Sequence, residues 1–349
     1  MLREIDFTGL NSEYTYIDVR SPSEFADGSI PGAINIPLLD DEARAAVGTT
    51  YKQVGKTEAK RLGVQLVAPR LEALFEEVLK LKAQNDKLVC FCARGGYRST
   101  FFANIFSSID LRVLKLSGGY KAYRQVVRDS LPLLNAEVEY IVLHGNTGVG
   151  KTNILLELQK LGCAVLDLEG AANHRGSLLG SIGLGKQHNQ KTFESYIYRD
   201  LSQKSENLVF VEAESKRIGT AAVPEFIHAK MKASPYHVNI EASLDYRANS
   251  LKADYILNGD WQAETIKVLP YFKKHLNNEK LAWLEEIILA GDFAKAAKYL
   301  MVEYYDPMYL HTAQKYEYAL TISEIESAAA AAQEIYEWLQ SVKNSWLVG

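Results

Sequence analysis

Short apolar runs alternate with helical patterns along the first third of the chain. The segments YTYIDVR (14–20) and KLVCF (87–91) are apolar and bounded by polar residues, which is typical of buried strands. Between them, residues 57–83 carry apolar side chains at helical spacing, and Pro69 predicts either two helices or one kinked helix there. LRVLKLSGGYKAYRQ (111–125) predicts a further strand, a turn and a helix. This alternation favours a parallel α/β sheet.

A second alternating set follows a break in the pattern. Residues 129–139, DSLPLLNAEVE, contain a proline, and we place the domain junction there. Apolar strands are predicted beyond it at 139–145, 163–170, 207–214 and 236–242. From about Tyr271 we expect helix to the end, with Thr321–Glu324 as a capping box before an alanine run. The predicted division is a first domain at 1–130, a second at 131–270, and its helical extension at 271–349.

Composition narrows the class of protein. With 349 residues, the chain is too long for one ordinary core, and 47% hydrophobic and 23% charged residues are typical of a globular protein. No apolar run reaches the ~20 residues of a membrane span, and the N-terminus has no signal-peptide core. Three cysteines do not make a disulfide framework, so we expect a reduced, cytoplasmic location and no membrane partner. A net charge of −4 means that any nucleic-acid site is a local basic face.

The segment CARGGYRS (92–99) predicts an anion-binding loop around a reactive cysteine. It follows a strand and precedes a helix, so backbone N–H groups and Arg98 are expected to lower the pKa of Cys92 and bind an anion. Other residues of the same loop are expected to contribute: Arg94, Gly95, Gly96 and Ser99. Cys90, inside the preceding strand, is expected in the core, and its spacing of two from Cys92 leaves a resolving thiol as the alternative.

The segment GNTGVGKT (145–152) matches the whole P-loop pattern between a predicted strand and a predicted helix. We expect it to bind a di- or triphosphate through Gly145, Asn146, Thr147, Gly148, Gly150, Lys151 and Thr152. Lys151 would reach the terminal phosphate and Thr152 would be placed for Mg²⁺, so Mg²⁺ is a candidate cofactor. Whether the bound compound is a nucleotide is a separate question.

Two further groups of polar residues follow strands of the second set. Glu212 and Glu214 lie at the end of NLVFVEAE, where they would hold a metal or act as a base, or one would pair with Lys216 or Arg217. His174 and Arg175 lie on a glycine-flanked loop, at the sheet edge where open α/β folds bind ligands, and we expect a site role for both.

The first half of the chain resembles a rhodanese domain. The resemblance rests on the segments DVRSPSEF (18–25) and GSIPGAINIP (28–37), and Cys92 lies at the position of the catalytic persulfide cysteine of that family. In ordinary sulfurtransferases of this family the arginine falls five positions after the cysteine. Here it falls six after, as in rhodanese-like phosphatases of the cell-cycle type. The wider cradle suits a phosphate-like ion, and a plain phosphatase remains an alternative for this loop.

Both halves together resemble the tRNA 2-selenouridine synthase family. Beyond the two anion loops, the resemblance is carried by segments at 47–63, 167–177, 211–219 and 304–309. It implies a transferase that acts on tRNA with 2-thiouridine at the wobble position. The implied route is S-geranylation with geranyl diphosphate, followed by selenium transfer from selenophosphate. A selenophosphate-producing enzyme is a further candidate partner.

The implied chemistry assigns roles to the candidate residues. Cys92, Arg98 and Lys151 are the expected catalytic residues, with Cys92 either carrying selenium or positioning its donor. We expect the P-loop to hold the diphosphate of geranyl diphosphate. Candidates for an apolar prenyl wall are Tyr196, Ile197 and Tyr198, although such aromatic residues are more often core. Basic residues that would contact tRNA, or are simply solvated surface, are Lys216, Arg217, Lys230, Lys232, Arg247, Lys252, Lys273 and Lys274.

Other functions stay open at this level. The main alternative is a persulfide sulfurtransferase fused to a P-loop ATPase, which would turn over thiosulfate and ATP without tRNA. A second is a nucleotide-sensing adaptor whose cysteine loop only binds anions, and a third is the phosphatase.

Overall fold

The computed structural model describes residues 2–256, 260–308 and 315–348. The chain forms two compact units. One runs up to Pro132 and includes Glu194–Ser202, and the other comprises Leu133–Phe193 and the chain from Gln203. Sequence patterns gave no sign that Glu194–Ser202 belongs with the first unit.

The first unit is built on a five-stranded parallel sheet with the order β1-β5-β4-β2-β3. The strands are β1 (Glu4–Ile5), β2 (Thr15–Asp18), β3 (Ile34–Asn35), β4 (Leu88–Phe91) and β5 (Val113–Leu116). The helices are α1 (Pro22–Ala26), α2 (Asp41–Gln53), α3 (Lys56–Val67), α4 (Leu71–Gln84), α5 (Tyr97–Ser108) and α6 (Gly119–Glu137). The parallel α/β sheet predicted from the alternating pattern is confirmed.

Pro69 and Pro132 affect the helices around them differently. Pro69 lies in a short 3-10 turn, Ala68–Arg70, that separates α3 from α4, so the prediction of two helices is confirmed. Pro132 lies inside α6, and the helix continues through residues 129–137, so the break in the alternating pattern there is not a break in secondary structure. The helix tolerates the proline because its amphipathic face is buried through Tyr123, Val127 and Leu131.

The second unit has its own parallel sheet, in the order β12-β11-β6-β8-β7. Its strands are β6 (Glu139–His144), β7 (Ala164–Leu166), β8 (Leu208–Glu212), β11 (Tyr236–Ile240) and β12 (Leu320–Ile322), and a separate ribbon pairs β9 (Arg217–Ile218) with β10 (Ala221–Ala222). The remaining helices are α7 (Lys151–Lys160), α8 (Leu168–Ala172), α9 (Gln190–Ser202), α10 (Glu225–Ala233), α11 (Leu244–Ile256), α12 (Trp261–Val268), α13 (Asn278–Leu289), α14 (Phe293–Leu300) and α15 (Ala328–Val348). Of these, α9 belongs to the first unit from Glu194 onward, and the others belong to the second. A 3-10 helix (Leu269–Lys274) and a π-helix (Met301–Tyr305) complete the helical region.

The C-terminal part returns to the sheet. Strand β12 pairs in parallel with β11, so the prediction of helix to the end is wrong at Leu320–Ile322. The predicted capping box at Thr321–Glu324 is wrong for the same reason. The Ser327 hydroxyl instead accepts the N–H of Ala330 at the start of α15, which makes Ser327 the cap.

Each unit has a separate hydrophobic core. In the second unit, Ile141 and Phe210 of the sheet share a core with Ile335 and Leu339 of α15, so the C-terminal helix belongs to the P-loop fold. Within the described residues, no helix is both long enough and apolar enough to cross a membrane.

Candidate functional site

The cysteine loop connects the end of β4 to the start of α5, as its sequence predicts. Gly95 has φ +62°, and a Cβ there would approach the Gly118 nitrogen to 2.9 Å, so the close packing requires glycine. The backbone of Cys92 accepts a hydrogen bond from the Tyr120 N–H at 2.9 Å, and Ala93 accepts one from Lys121 at 3.0 Å. The loop is therefore fixed against the turn that starts α6.

The Cys92 thiol lies buried at the bottom of this loop. Its Sγ is 3.2 Å from the Ser99 hydroxyl. Burial alone would raise the pKa of Cys92, but hydrogen bonds from Ser99 and from the Arg94 N–H, together with the charge of Arg98, lower it. Cys90 is fully buried in β4 and burial raises its pKa, so it is a core residue, as predicted. Of these two thiols, Cys92 is therefore the one whose surroundings favour the nucleophilic thiolate.

The guanidinium of Arg98 is held by Glu24 of α1. Its two terminal nitrogens donate to the two Glu24 carboxylate oxygens at 2.5 and 3.1 Å. Sequence reasoning missed Glu24 as a site residue, although it lies in the segment that carries the rhodanese resemblance. Because arginine has five N–H donors, this pair orients Arg98 and leaves three donors for an anion. The Arg94 side chain is exposed and contributes through its backbone N–H.

Tyr97 is a second residue of this loop that sequence reasoning missed. Its side chain is 63% exposed, and the Lys60 ammonium of α3 lies 4.6 Å from the centre of its ring. A tyrosine at the start of a helix is normally unremarkable, so only its place inside an anion loop could have signalled it. The exposed ring beside a cation offers a stacking surface for a nucleobase.

The P-loop follows β6 and ends where α7 begins, in the context its motif requires. Gly150 has φ +82° at the N-cap of α7, a conformation that favours glycine. The Lys151 ammonium donates to the Gly145 carbonyl at 3.2 Å, which keeps it over the loop. A cavity of about 210 Å³ is lined by Thr147, Gly148, Gly150, Lys151 and Thr152 among others. Asn146 closes a turn, with its carbonyl accepting the Val149 N–H at 3.2 Å.

Arg247 supports the P-loop from behind. Its Nε donates to the Thr147 carbonyl at 2.8 Å, and its terminal nitrogens pair with Asp306. The side chain is buried, so its assignment to a tRNA-binding surface is wrong. The segment 304–309 that supplies Asp306 carries part of the family resemblance, and its Tyr309 lies outside the described residues.

Carboxylates surround the Thr152 hydroxyl at the carboxyl edge of the sheet. The hydroxyl lies 3.1 Å from Glu169 and 3.4 Å from Glu212. Burial raises the pKa of Glu169 to about 8, with the Glu214 carboxylate adding to the effect, and it also raises those of Glu212 and Glu214. Glu169, the first acid inside the helix after β7, was missed as a site residue although it lies in the segment 167–177 that carries part of the family resemblance. The Lys216 ammonium pairs with Glu225.

This carboxylate group fits a Mg²⁺ ion that is completed by a ligand. Within the described ranges, no three His, Cys, Asp or Glu side chains are placed to hold a metal by themselves. Mg²⁺ usually takes only one or two carboxylates and keeps water and substrate phosphate oxygens. Thr152 and Glu212 would hold it, because the Thr152 hydroxyl lies 3.4 Å from the Glu212 carboxylate.

The loop after α8 places its two predicted residues differently. Arg175 donates to the carbonyls of Ile182 and Asp254, both at 2.7 Å, and lies over the Tyr255 ring, so it braces the loop. His174 is buried and lines the P-loop cavity, and its Nδ1 has no hydrogen-bond partner among the described residues. Burial lowers the pKa of His174, with a smaller effect of Arg175, so the neutral imidazole is the form that faces the cavity.

The remaining candidates are placed away from a ligand role. Tyr198 and Ile197 are buried in the first unit, where the Tyr198 ring packs near Phe7 and Tyr123 at 6.5 and 6.4 Å, so the expectation that such residues are core is confirmed for these two. The Tyr196 ring is covered by the Arg199 guanidinium at 4.7 Å. Arg217 is exposed on the β9–β10 ribbon.

Comparisons with known proteins match both units. The family model described as tRNA 2-selenouridine synthase AAA domain matches residues 138–287, and the family model of the rhodanese-like domain matches residues 8–126. The N-terminal domain of a Clostridium difficile 630 protein described as ATP/GTP-binding is 37% identical over 36% of this chain and 98% of its own, with a TM-score of 0.34.

Three relatives that match most of this chain carry the same name. The tRNA 2-selenouridine synthase of Marinobacter nauticus is 32% identical and covers 93% of this chain and 94% of its own length. That of Pseudomonas syringae pv. syringae is 34% identical over 87% and 90% of the two chains. That of a Sulfurovum species is 34% identical over 84% and 87%. The chain therefore belongs to the tRNA 2-selenouridine synthase family, whose name describes a tRNA-modifying transferase.

Proposed function

We propose that this chain converts wobble 2-thiouridine in tRNA to 2-selenouridine in two steps. Geranyl diphosphate first alkylates the sulfur, and selenophosphate then supplies selenium. The observation that carries the proposal is the pair of anion loops in one chain of this family: a cysteine cradle with a lowered thiol pKa, and a P-loop with its lysine in place. Alkylation is needed because it turns the thiocarbonyl sulfur into a thiol leaving group.

The first step belongs to the P-loop. The C1–O bond of geranyl diphosphate breaks and its electron pair leaves with the diphosphate. A lone pair of the thiouridine sulfur forms the S–C1 bond, and the proton on N3 of the base is released. The loop N–H groups and Lys151 stabilise the negative charge that develops on the departing diphosphate. A bound Mg²⁺, held by Thr152 and Glu212, would neutralise the same oxygens.

The second step belongs to the cysteine loop. Selenium of selenophosphate forms a bond to C2 of the base, and the C2–S bond breaks to release geranylthiol. The product carries a phosphoryl group on selenium. A selenosulfide on Cys92 would require an oxidant, because selenium in selenophosphate is already fully reduced. We therefore place the Cys92 thiolate at phosphorus and not at selenium.

The cysteine loop fits this phosphoryl transfer. The Cys92 sulfur bonds to phosphorus while the P–Se bond breaks, and its electron pair stays on selenium as N3 takes up a proton. Water then releases phosphate from Cys92. The six-residue spacing to Arg98 and the free donors of its guanidinium suit a phosphoryl group. The exposed Tyr97 ring would stack on the target base, which must leave the anticodon stack to react.

Separate substrates test the division between the two loops. Cys92→Ala should geranylate 2-thiouridine tRNA and fail to make 2-selenouridine. Lys151→Ala should fail to geranylate, yet convert tRNA that is supplied already geranylated. Loss of both steps in a folded Cys92→Ala protein would contradict the division. Turnover of thiosulfate and ATP without any change in tRNA would instead favour the sulfurtransferase fused to an ATPase.

A further inference from the structure

A second cavity, about 400 Å³ in volume, lies beside the P-loop in the same unit. Gly145 and Asn146 of the P-loop form part of its wall, and Glu214 lies on the same side. Its other lining is largely aromatic and apolar and includes His144, His237, Tyr316 and Tyr318. We call this space the aromatic cavity. Its volume falls within the range of about 300–1,000 Å³ that is typical of small-molecule pockets.

Two polar side chains of the aromatic cavity are engaged with each other. His144 Nε2 lies 2.8 Å from His237 Nδ1, so the two imidazoles share a hydrogen bond. The Tyr316 ring packs against both, with centroids 4.7 Å from His144 and 4.3 Å from His237. The Asn239 amide donates to Glu241 at 3.0 Å. His144, His237 and Tyr316 therefore offer mainly ring faces to a ligand.

The two imidazoles are uncharged at neutral pH. Burial lowers the pKa of His144 to about 3 and also lowers that of His237. The charged residues that line the cavity are Glu214 and Lys232. A neutral aromatic lining is well suited to an alkyl chain, and the faces of its tyrosine rings attract a carbon centre that becomes positive.

We propose that the aromatic cavity binds the geranyl chain while the P-loop holds the diphosphate. This inference rests on the proposed function. Its ground is that Gly145 and Asn146 of the P-loop form part of the cavity wall, which places this pocket directly beside the loop that would hold the diphosphate of a prenyl diphosphate. The allylic C1 gains positive character as the C1–O bond breaks, and the neutral rings stabilise it. A flipped nucleobase is the competing occupant, because the Tyr305 hydroxyl, which lines the cavity and has no hydrogen-bond partner among the described residues, could bind its edge, and the experiment below distinguishes the two.

Two substitutions should move the chain-length preference in opposite directions. Ala213→Leu adds a side chain to the cavity wall, so we expect the KM for geranyl diphosphate to rise about tenfold and dimethylallyl diphosphate to become the better substrate. Tyr316→Ala enlarges the cavity, so farnesyl diphosphate should gain at least tenfold relative to geranyl diphosphate. Inhibition by inorganic pyrophosphate should stay unchanged in both, because the P-loop is intact. Tyr271→Ala, at a residue that is 68% exposed, is the control for loss of a tyrosine ring.

The outcomes separate failure of this inference from failure of the proposed function. If the wild-type protein geranylates tRNA but both folded variants keep its chain-length preference, the cavity does not hold the chain. A raised KM for tRNA alone would assign the cavity to the base and overturn the inference. If the wild-type protein makes no S-geranyl product, the proposed function fails and this inference falls with it.

A photoreactive geranyl diphosphate analogue, used on the wild-type protein, tests the assignment even if a variant fails to fold. It should label peptides that line the cavity, and labelling elsewhere would refute the assignment.

Discussion

The pair between Glu24 and Arg98 allows a quantitative test of how the cysteine cradle is held. Both side chains are about one-fifth exposed, so solvent screens them only in part. Burial alone would raise the pKa of Glu24, but the hydrogen bonds and charge of Arg98 lower it from 4.5 to about 2. Since one pKa unit corresponds to about 1.4 kcal/mol, the charged Glu24 carboxylate contributes on the order of 3 kcal/mol at neutral pH, mainly through Arg98 and to a smaller extent through the Ser21 N–H and Arg44.

The lowered pKa also fixes the direction of the pH dependence. The carboxylate is charged and paired above its unfolded-state pKa of 4.5, so the stabilisation is present there and is lost as the pH falls toward about 2. We therefore expect Glu24→Gln to lower the melting temperature of the first unit by about 4–10 °C at pH 7. At pH 3 the difference from the wild-type protein should be about half as large.

Circular dichroism and fluorescence distinguish the two units in this experiment. All four tryptophans follow residue 260, so their fluorescence reports on the second unit and should be unchanged, while the far-ultraviolet signal shifts. Glu42→Gln, at an exposed glutamate of α2, is the matched control. In assays, Glu24→Gln should raise the KM for selenophosphate and leave geranylation unchanged, because Arg98 loses its orientation. A melting difference that is absent at pH 7, or equal at pH 7 and pH 3, would refute this reasoning.

Four further predictions concern other parts of the two sites. Tyr97→Ala should raise the KM for tRNA about tenfold, because the stacking ring is lost. Tyr97→Phe keeps the ring and should leave this KM unchanged, as steady-state kinetics with tRNA would measure. Because the pKa of Glu169 is raised, the free energy of unfolding without Mg²⁺ and diphosphate should decrease as the pH rises from 4.5 to about 8. Glu169→Gln should make this pH dependence weaker, as measured by urea titrations. Acid-quenched turnover should leave a phosphoryl group on Cys92, detected by peptide mass spectrometry, and an adduct of selenium there would contradict the phosphoryl route. Ser327→Ala should cost about 1 kcal/mol of unfolding free energy through loss of the α15 cap.

The two anion loops could be predicted from sequence because local spacing determines them. A strand, a glycine-containing turn and a helix start are all encoded within about ten residues, and the structure places Cys92 and Lys151 accordingly. The alternating pattern likewise predicted both parallel sheets, since buried parallel strands are continuous apolar runs.

Features that depend on distant residues could not be predicted in this way. Glu24 and Arg98 are 74 positions apart, and only the folded sheet brings them together. Strand β12 has three residues, and it is a strand because the edge of β11 supplies its hydrogen bonds. The aromatic cavity combines β6, β11 and the chain around Tyr316, which no sequence period connects. Arg247 is buried because it pairs with Asp306, which is 59 positions away, and no local pattern distinguishes it from a surface cation.

The central claim is that one chain performs both steps in a fixed order. The most direct test is mass spectrometry of nucleosides from 2-thiouridine tRNA incubated with the purified protein and geranyl diphosphate, before and after addition of selenophosphate. We predict an S-geranyl nucleoside in the first sample and its conversion to 2-selenouridine in the second. Unchanged 2-thiouridine with folded protein, or 2-selenouridine formed without geranyl diphosphate, would contradict the account.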